Sequence, residues 1–220
     1  MCGRYTLSNT DLKKRFSTAN NLSGLDPSYN ITPGSFVPTI TRSSPNNITK
    51  MHWGFVPEWS KDGKFSMINI RNDTLRDKPY FTGVMTKTRC LVPSDGFYEW
   101  KKTKAGGKVS KEPYYFFLKD NPLFSFAGIY NLRTDAEGKE IYTFAIITCE
   151  PNYLVGEVHN RMPVILDKKT EDLWLDSDSQ NSDTLLKLLT SYPPAKMSAH
   201  KVSYLVSNSQ KDGPELIKPQ

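Results

Sequence analysis

Seven segments rich in β-branched and aromatic residues, each bounded by turn-forming residues, leave this 220-residue chain little alternative to a strand-dominated fold. They are Phe36–Thr41, Ile48–Phe55, Cys90–Trp100, Pro113–Leu118, Leu123–Tyr130, Ile141–Cys149 and Val202–Val206. Helical signals are fewer: Asp11–Ser17, a segment after Asn152, Glu171–Leu175 behind a capping Thr170, and Asp183–Ser191 behind a capping Ser182. A doubly wound parallel sheet needs strands and helices in regular alternation, and this order does not supply it. The expectation is an α+β fold, a single β-rich domain over residues 1–220, mainly antiparallel, with a partly closed sheet and a few flanking helices. The basic stretch 101–111 with its Gly-Gly pair reads as a long hairpin loop, and residues from about 208 to 220 read as a polar tail.

Composition removes whole classes of function. Hydrophobic residues make up 37% of the chain, and no apolar run approaches the roughly 20 residues of a membrane span. The first ten residues lack a secretory apolar region, so a cytoplasmic location is expected, nucleoid-associated if the source is bacterial. Three cysteines without CxxC spacing argue against a disulfide framework and against a zinc knuckle, and no metal or organic cofactor is implied. Charge is uneven along the chain. Residues 1–110 carry 17 Lys and Arg against 8 Asp and Glu, whereas residues 111–220 carry 12 against 15. A basic surface would therefore be built by the first half, with nucleic acid as a candidate partner and an ordinary lysine-rich surface as the alternative.

Position 2 carries the most specific chemistry. Methionine aminopeptidases remove Met1 when the next side chain is small, and cysteine qualifies. The α-amine exposed in this way titrates near 7.7–8.0 and the thiol near 8.5, so both are partly nucleophilic at neutral pH. Such an aminothiol condenses with an aldehyde through nitrogen, and sulfur then closes a thiazolidine ring.

Four further clusters stand out. In the segment 52–59, Trp53 and Trp59 bracket a turn at Gly54, and they suit either a core or stacking on unpaired bases, worth about 1–3 kcal/mol per base. In 69–74, Asn69 offers both a donor and an acceptor, and Arg71 can fork onto a phosphate or lie solvated beside a turn. Glu99 sits in an aromatic strand with Tyr98 and Trp100 on the opposite face; it is either an exposed-face glutamate or a buried carboxyl raised toward the range of a general acid or base. His159, in His159-Asn160-Arg161-Met162-Pro163, is one of three histidines and either suits proton transfer near neutrality or is an ordinary surface loop histidine. Thr148 and Glu150 flank Cys149 as rim candidates for the same site.

Taken in order with Cys2-Gly3-Arg4-Tyr5 and Tyr29-Asn30-Ile31-Thr32-Pro33, these clusters resemble the SOS-response-associated peptidase family, whose members are abasic-site processing proteins. The resemblance spans residues 2–166. It implies a β-rich domain with a basic groove for single-stranded DNA containing abasic sites, and an active site at the processed amino terminus. It also implies roles: Cys2 as nucleophile, Asn69 as the residue that positions it, and Glu99 and His159 as acid/base groups. Arg4, Asn30, Pro33, Trp53, Gly54, Trp59, Arg71, Thr148 and Arg161 would line the DNA path. Ile70 and Asn72 stand where the family has smaller residues and Asp73 where glutamate is usual, departures in the scaffold of that motif.

The expected protein is a monomer that cross-links to an abasic site through a thiazolidine and shields the strand from cleavage. Two rivals belong to other classes: an amino-terminal-nucleophile cysteine hydrolase acting on peptides, and a non-catalytic single-strand binder. Only the first reading requires a persistent covalent band with abasic DNA. The sequence does not identify protein partners at the replication fork.

Overall fold

The strands are β1 (Arg4–Leu7), β2 (Ser28–Ile31), β3 (Phe36–Thr41), β4 (Ser44–Trp53), β5 (Asn69–Arg71), β6 (Arg89–Ser94), β7 (Gly96–Ala105), β8 (Lys108–Leu118), β9 (Phe124–Thr134), β10 (Glu140–Cys149), β11 (Met162–Pro163), β12 (Ile165–Leu166) and β13 (Met197–Lys201). The helices are α1 (Leu12–Phe16), α2 (Asn72–Asp77), α3 (Pro79–Lys87), α4 (Tyr153–Gly156), α5 (Lys168–Leu175) and α6 (Ser182–Lys187). The structure is a computed structural model. It describes every residue except Met1, Asn21, Ser23, Lys61, Asp62, Gly106, Gly107, Asp135, Ala136 and Gln180, and omits the side chains of Ala105 and Lys108.

Strands β10, β4, β3, β6 and β9 pair in that order, and β9 pairs back onto β10, so five strands close a ring. All its junctions are antiparallel except β10 with β4. Closure leaves these strands without a free edge. Trp53, Phe126, Ile129 and Phe144 are fully buried in the main core. Beyond the ring, β5 lies parallel to the end of β10 and β11 antiparallel to it. A second sheet, in the order β13-β8-β7-β1-β2, is antiparallel throughout. Period-two alternation divides its side chains: Phe97 and Phe116 join the main core, whereas Tyr98 and Tyr115 join a smaller cluster with Val202, Val206 and Leu216. The fold is α+β and mainly antiparallel, as expected.

Several boundaries differ from the sequence reading. Cys90–Trp100 is two strands in two sheets, β6 in the ring and β7 in the second sheet. Asp95 makes the crossing: its carboxylate accepts from Thr6 Oγ1, from Ser8 N–H and Oγ at 2.6 Å each, and from Asn9 N–H at 2.8 Å. Val202–Val206 is not a strand. The strand is β13, and Tyr204–Ser207 forms a 3-10 turn after it. The expected hairpin loop 101–111 is paired strand out to Ala105 and Lys108; its Gly-Gly pair lies outside the described residues. Residues 208–220 are no tail, because Leu216 is fully buried and Gln220 N–H donates to Lys201 O at 3.0 Å. Thr170 lies inside α5 as part of a capping box whose cap is Asp167, and α6 is capped by Asn181 rather than Ser182. The unexpected elements β1, β2, β5 and α2 carry much of the site.

Candidate functional site

Strand β1 brings the start of the chain to β7, with Arg4 paired to Tyr98, so Cys2 runs on toward Glu99 and Trp100. From the other sheet, Asn69 opens β5, and its Nδ2 donates to Cys2 O at 2.7 Å. The two sheets are joined at this point, around the second residue. Asn69 Oδ1 is buried and has no hydrogen-bond partner among the described residues. Cys2 is 0% exposed, with Sγ 3.6 Å from Arg4 O. Burial, and then the nearby Glu99 carboxylate, push its thiol well above the ordinary range.

Glu99 is buried in β7, and desolvation raises its carboxyl to about 7. His159 Nδ1 lies 3.9 Å from Glu99 Oε1. Partial burial lowers the imidazole below its ordinary value, which keeps it neutral at pH 7. Its Nδ1 is 3.1 Å from both the N–H and the carbonyl oxygen of Arg161. Nδ1 can therefore accept from the one or donate to the other, so either tautomer is satisfied and Nε2 can give or take a proton. An acid poised near neutrality beside an imidazole served in both tautomers is suited to moving protons at a substrate atom.

A cleft of about 450 Å³ opens over this pair, lined by Arg4, Glu99, Trp100, Lys102, Lys111, His159 and Ser207. Lys102 and Lys111 are direct partners in the β7–β8 ladder. Like charges placed opposite each other destabilise a sheet, and an anion bound between them offsets that cost. The sequence reading missed both lysines, although their equal spacing from the Gly-Gly pair in 101–111 was a signal for them.

The remaining candidates divide by burial. Arg4 is held by Asn30 Oδ1 at 2.8 Å, Val206 O at 2.7 Å and Ser207 O at 3.2 Å. Asn30 is buried and serves as scaffold, its Nδ2 donating to three backbone carbonyls. Arg71 is half-exposed and ion-paired to Asp73 at 2.5 Å. Arg161 is buried, spent on Glu150, Asn72 Oδ1 and Thr148 O, and Thr148 is buried beneath it. Neither offers a surface contact. The stacking role open to Trp53 is ruled out by its 0% exposure: Nε1 donates to Ile68 O, and the ring packs on Tyr5 and Phe144. Trp59, in contrast, is 55% exposed, with its ring centroid 4.9 Å from that of Phe65. Pro33 is exposed. Gly54 carries φ +152°, and an added Cβ would press on the His52 ring at 3.3 Å. Among the described residues no cluster of three or more His, Cys, Asp and Glu side chains could hold a metal, and no helix is long and apolar enough to cross a membrane.

All three thiols are buried and unpaired, which predicts a specific labelling pattern. The native chain that retains Met1 should take up no iodoacetamide on the timescale on which the denatured chain takes up three equivalents, read by intact mass. Rapid single labelling at Cys2 would contradict the burial described here.

A buried cysteine at position 2, a raised carboxyl and a neutral imidazole thus gather beneath a basic cleft. The chain belongs to the SOS response associated peptidase (SRAP) family, whose model matches residues 1–209. It is similar to abasic site processing protein YoqW of Bacillus subtilis (strain 168), with 40% identity over 99% of each chain. It is also similar to abasic site processing protein HMCES of Pongo abelii, with 31% identity over 88% of this chain and 65% of that one. A crystal structure of a protein from Bacteroides thetaiotaomicron superposes with TM-score 0.87 at 31% identity, covering 100% of both chains.

Proposed function

We propose that this protein recognises abasic sites in single-stranded DNA and, after loss of Met1, cross-links to them through Cys2. The observation that carries the reading is the convergence of Cys2, Glu99 and His159 under a cleft rimmed by Arg4, Lys102 and Lys111. The names of the relatives support the same target.

The chemistry balances without a cofactor. The α-amine of Cys2 adds to the C1′ aldehyde of the ring-opened sugar, and the carbinolamine loses water to give an imine. Sγ then forms a bond to C1′ while the thiol proton passes to nitrogen. One water leaves, and the product is a saturated thiazolidine. Protonated Glu99 is placed to protonate the sugar ring oxygen on opening and the departing hydroxyl, and His159 Nε2 to relay protons. Asn69 fixes the Cys2 carbonyl, so amine and thiol swing about a held point. A saturated C1′ no longer acidifies the neighbouring carbon as an imine does, and the 3′ phosphate is retained. Removal of Met1 is a necessary maturation step, because it frees the amine and takes away a residue bonded directly to the buried Cys2.

The test is incubation with a single-stranded oligonucleotide carrying one abasic site, followed by a denaturing gel and intact mass. The expected product is a 1:1 adduct whose protein lacks Met1 and whose mass is the sum of protein and DNA less one water. A quantitatively retained Met1 in adduct-forming material, or no covalent band at all, overturns the reading.

A further inference from the structure

The last nineteen residues, 202–220, reach the cleft from outside every motif cluster used above. We propose that they form a strap that positions Arg4 as an uncompensated cation for a backbone phosphate of the bound strand, an inference that rests on the single-stranded DNA reading. Buried Val202, Val206 and Leu216 fasten the strap to Tyr98 and Tyr115 on the outer face of the second sheet. Asp212 ties it to β2, accepting from Ser28 Oγ at 2.8 Å and Tyr29 N–H at 2.5 Å. His200 Nε2 lies 2.8 Å from Ile217 O, and Gln220 N–H donates to Lys201 O at 3.0 Å, which ties the end to β13.

The strap meets the cleft at Val206 and Ser207. Their carbonyls supply two of the three acceptors that hold the Arg4 guanidinium, and Asn30 supplies the third. Asn30 is itself set by the strap, since its Nδ2 reaches Val206 O at 3.3 Å, Asn208 O at 3.0 Å and Lys211 O at 2.7 Å. Ser207 Oγ also accepts from Trp100 Nε1 at 3.2 Å on the cleft wall. All these acceptors of Arg4 are neutral. Arg71 and Arg161 face carboxylates, at Asp73 and Glu150, which offset their charge. Arg4 is thus oriented without being neutralised, and its planar fork suits a phosphate. Released from the strap it would keep its charge and lose its aim.

Asp212 is exposed and does not line the cleft, which makes it the sharpest probe. In the full chain, Asp212→Ala and Asp212→Ala/Leu216→Ala are compared with wild type, Arg4→Ala and the triple variant. Binding of a fluorescent oligothymidylate without an abasic site is measured as a function of salt, with hydrogen exchange read over 205–217. Removing an acid by itself strengthens binding to a polyanion, so any loss must come through the strap. The expected result is faster exchange at 205–217, binding weakened about tenfold in the double variant, and a salt slope shallower by about 0.7, one phosphate contact. Arg4→Ala should give the same values, with no further loss in the triple variant. The inference is overturned if exchange at 205–217 is unchanged, if binding or slope is unchanged with the strap released, or if the strap substitutions weaken the Arg4→Ala protein by the same factor. Failure of wild type to bind the oligonucleotide at all sinks the single-stranded DNA reading instead.

Discussion

Cys2→Ala should abolish the denaturation-stable adduct with abasic single-stranded DNA while leaving an imine that only borohydride preserves. Alanine is small enough for Met1 to be removed, so the variant keeps its α-amine and the first bond to C1′ still forms. The second bond requires Sγ. Without it the adduct rests at the imine stage, where hydrolysis returns the aldehyde and the acidified neighbouring carbon promotes loss of the 3′ phosphate. Untrapped adduct should fall to background, and strand cleavage should exceed that of wild type. Asn69 donates to the Cys2 carbonyl rather than to its side chain, so the substitution leaves that anchor in place. An equally stable untrapped cross-link from Cys2→Ala would exclude the thiazolidine.

The second large effect is expected from Glu99→Gln, with a loss of about 10²–10⁴-fold in cross-linking rate, the usual worth of a general acid–base group. Its signature is in the pH profile. Burial raises the Glu99 carboxyl from 4.5 to about 7, so the acid form is present below that value and is lost as pH rises through it. Wild-type rate should therefore carry a limb near pH 7 that the glutamine variant lacks. The same shift works against the fold of the chain that keeps Met1. Between 4.5 and 7 the native state binds more protons than the unfolded one, so stability falls as pH rises across that window. The full cost above pH 7 is on the order of 3 kcal/mol. Glu99→Gln should remove this penalty, melting higher than wild type at pH 8 and alike at pH 4. A variant that is slower only because it binds DNA more weakly, with the pH limb intact, would show that Glu99 is structural.

How much of this was legible in the sequence depended on how local each feature is. Phe36–Thr41 is a strand with the expected limits because its β-branched pattern and flanking turns are self-contained. Cys90–Trp100 looks like one strand in sequence because what breaks it, the grip of Asp95 on Thr6, Ser8 and Asn9, comes from 86 to 89 residues away. Strands of three or four residues such as β5 and β1 are too short to show a period. Residue chemistry was easier to read than residue placement. Glu99 on an aromatic strand left a raised carboxyl and an exposed-face glutamate both open, and its burial selects between them. Trp53 and Trp59 look equivalent in sequence, and only tertiary packing separates a core ring from an exposed one. Arg161 carries no mark of the Asn72 and Thr148 oxygens that absorb it.

The distance along the chain between Arg4 and its partners has a consequence for biosynthesis. Cys2 and Arg4 leave the ribosome well before their partners: Asn69 lies 67 residues after Cys2, and Val206 lies 202 residues after Arg4. No subset of early residues can assemble the site, and contacts of such long range form late and cooperatively. On the proposed chemistry, an aminothiol uncovered by loss of Met1 would be an ordinary exposed nucleophile until the chain folds. Selectivity would then arrive all at once with the finished structure, and a variant that folds poorly should lose discrimination between aldehydes before it loses the ability to react with them.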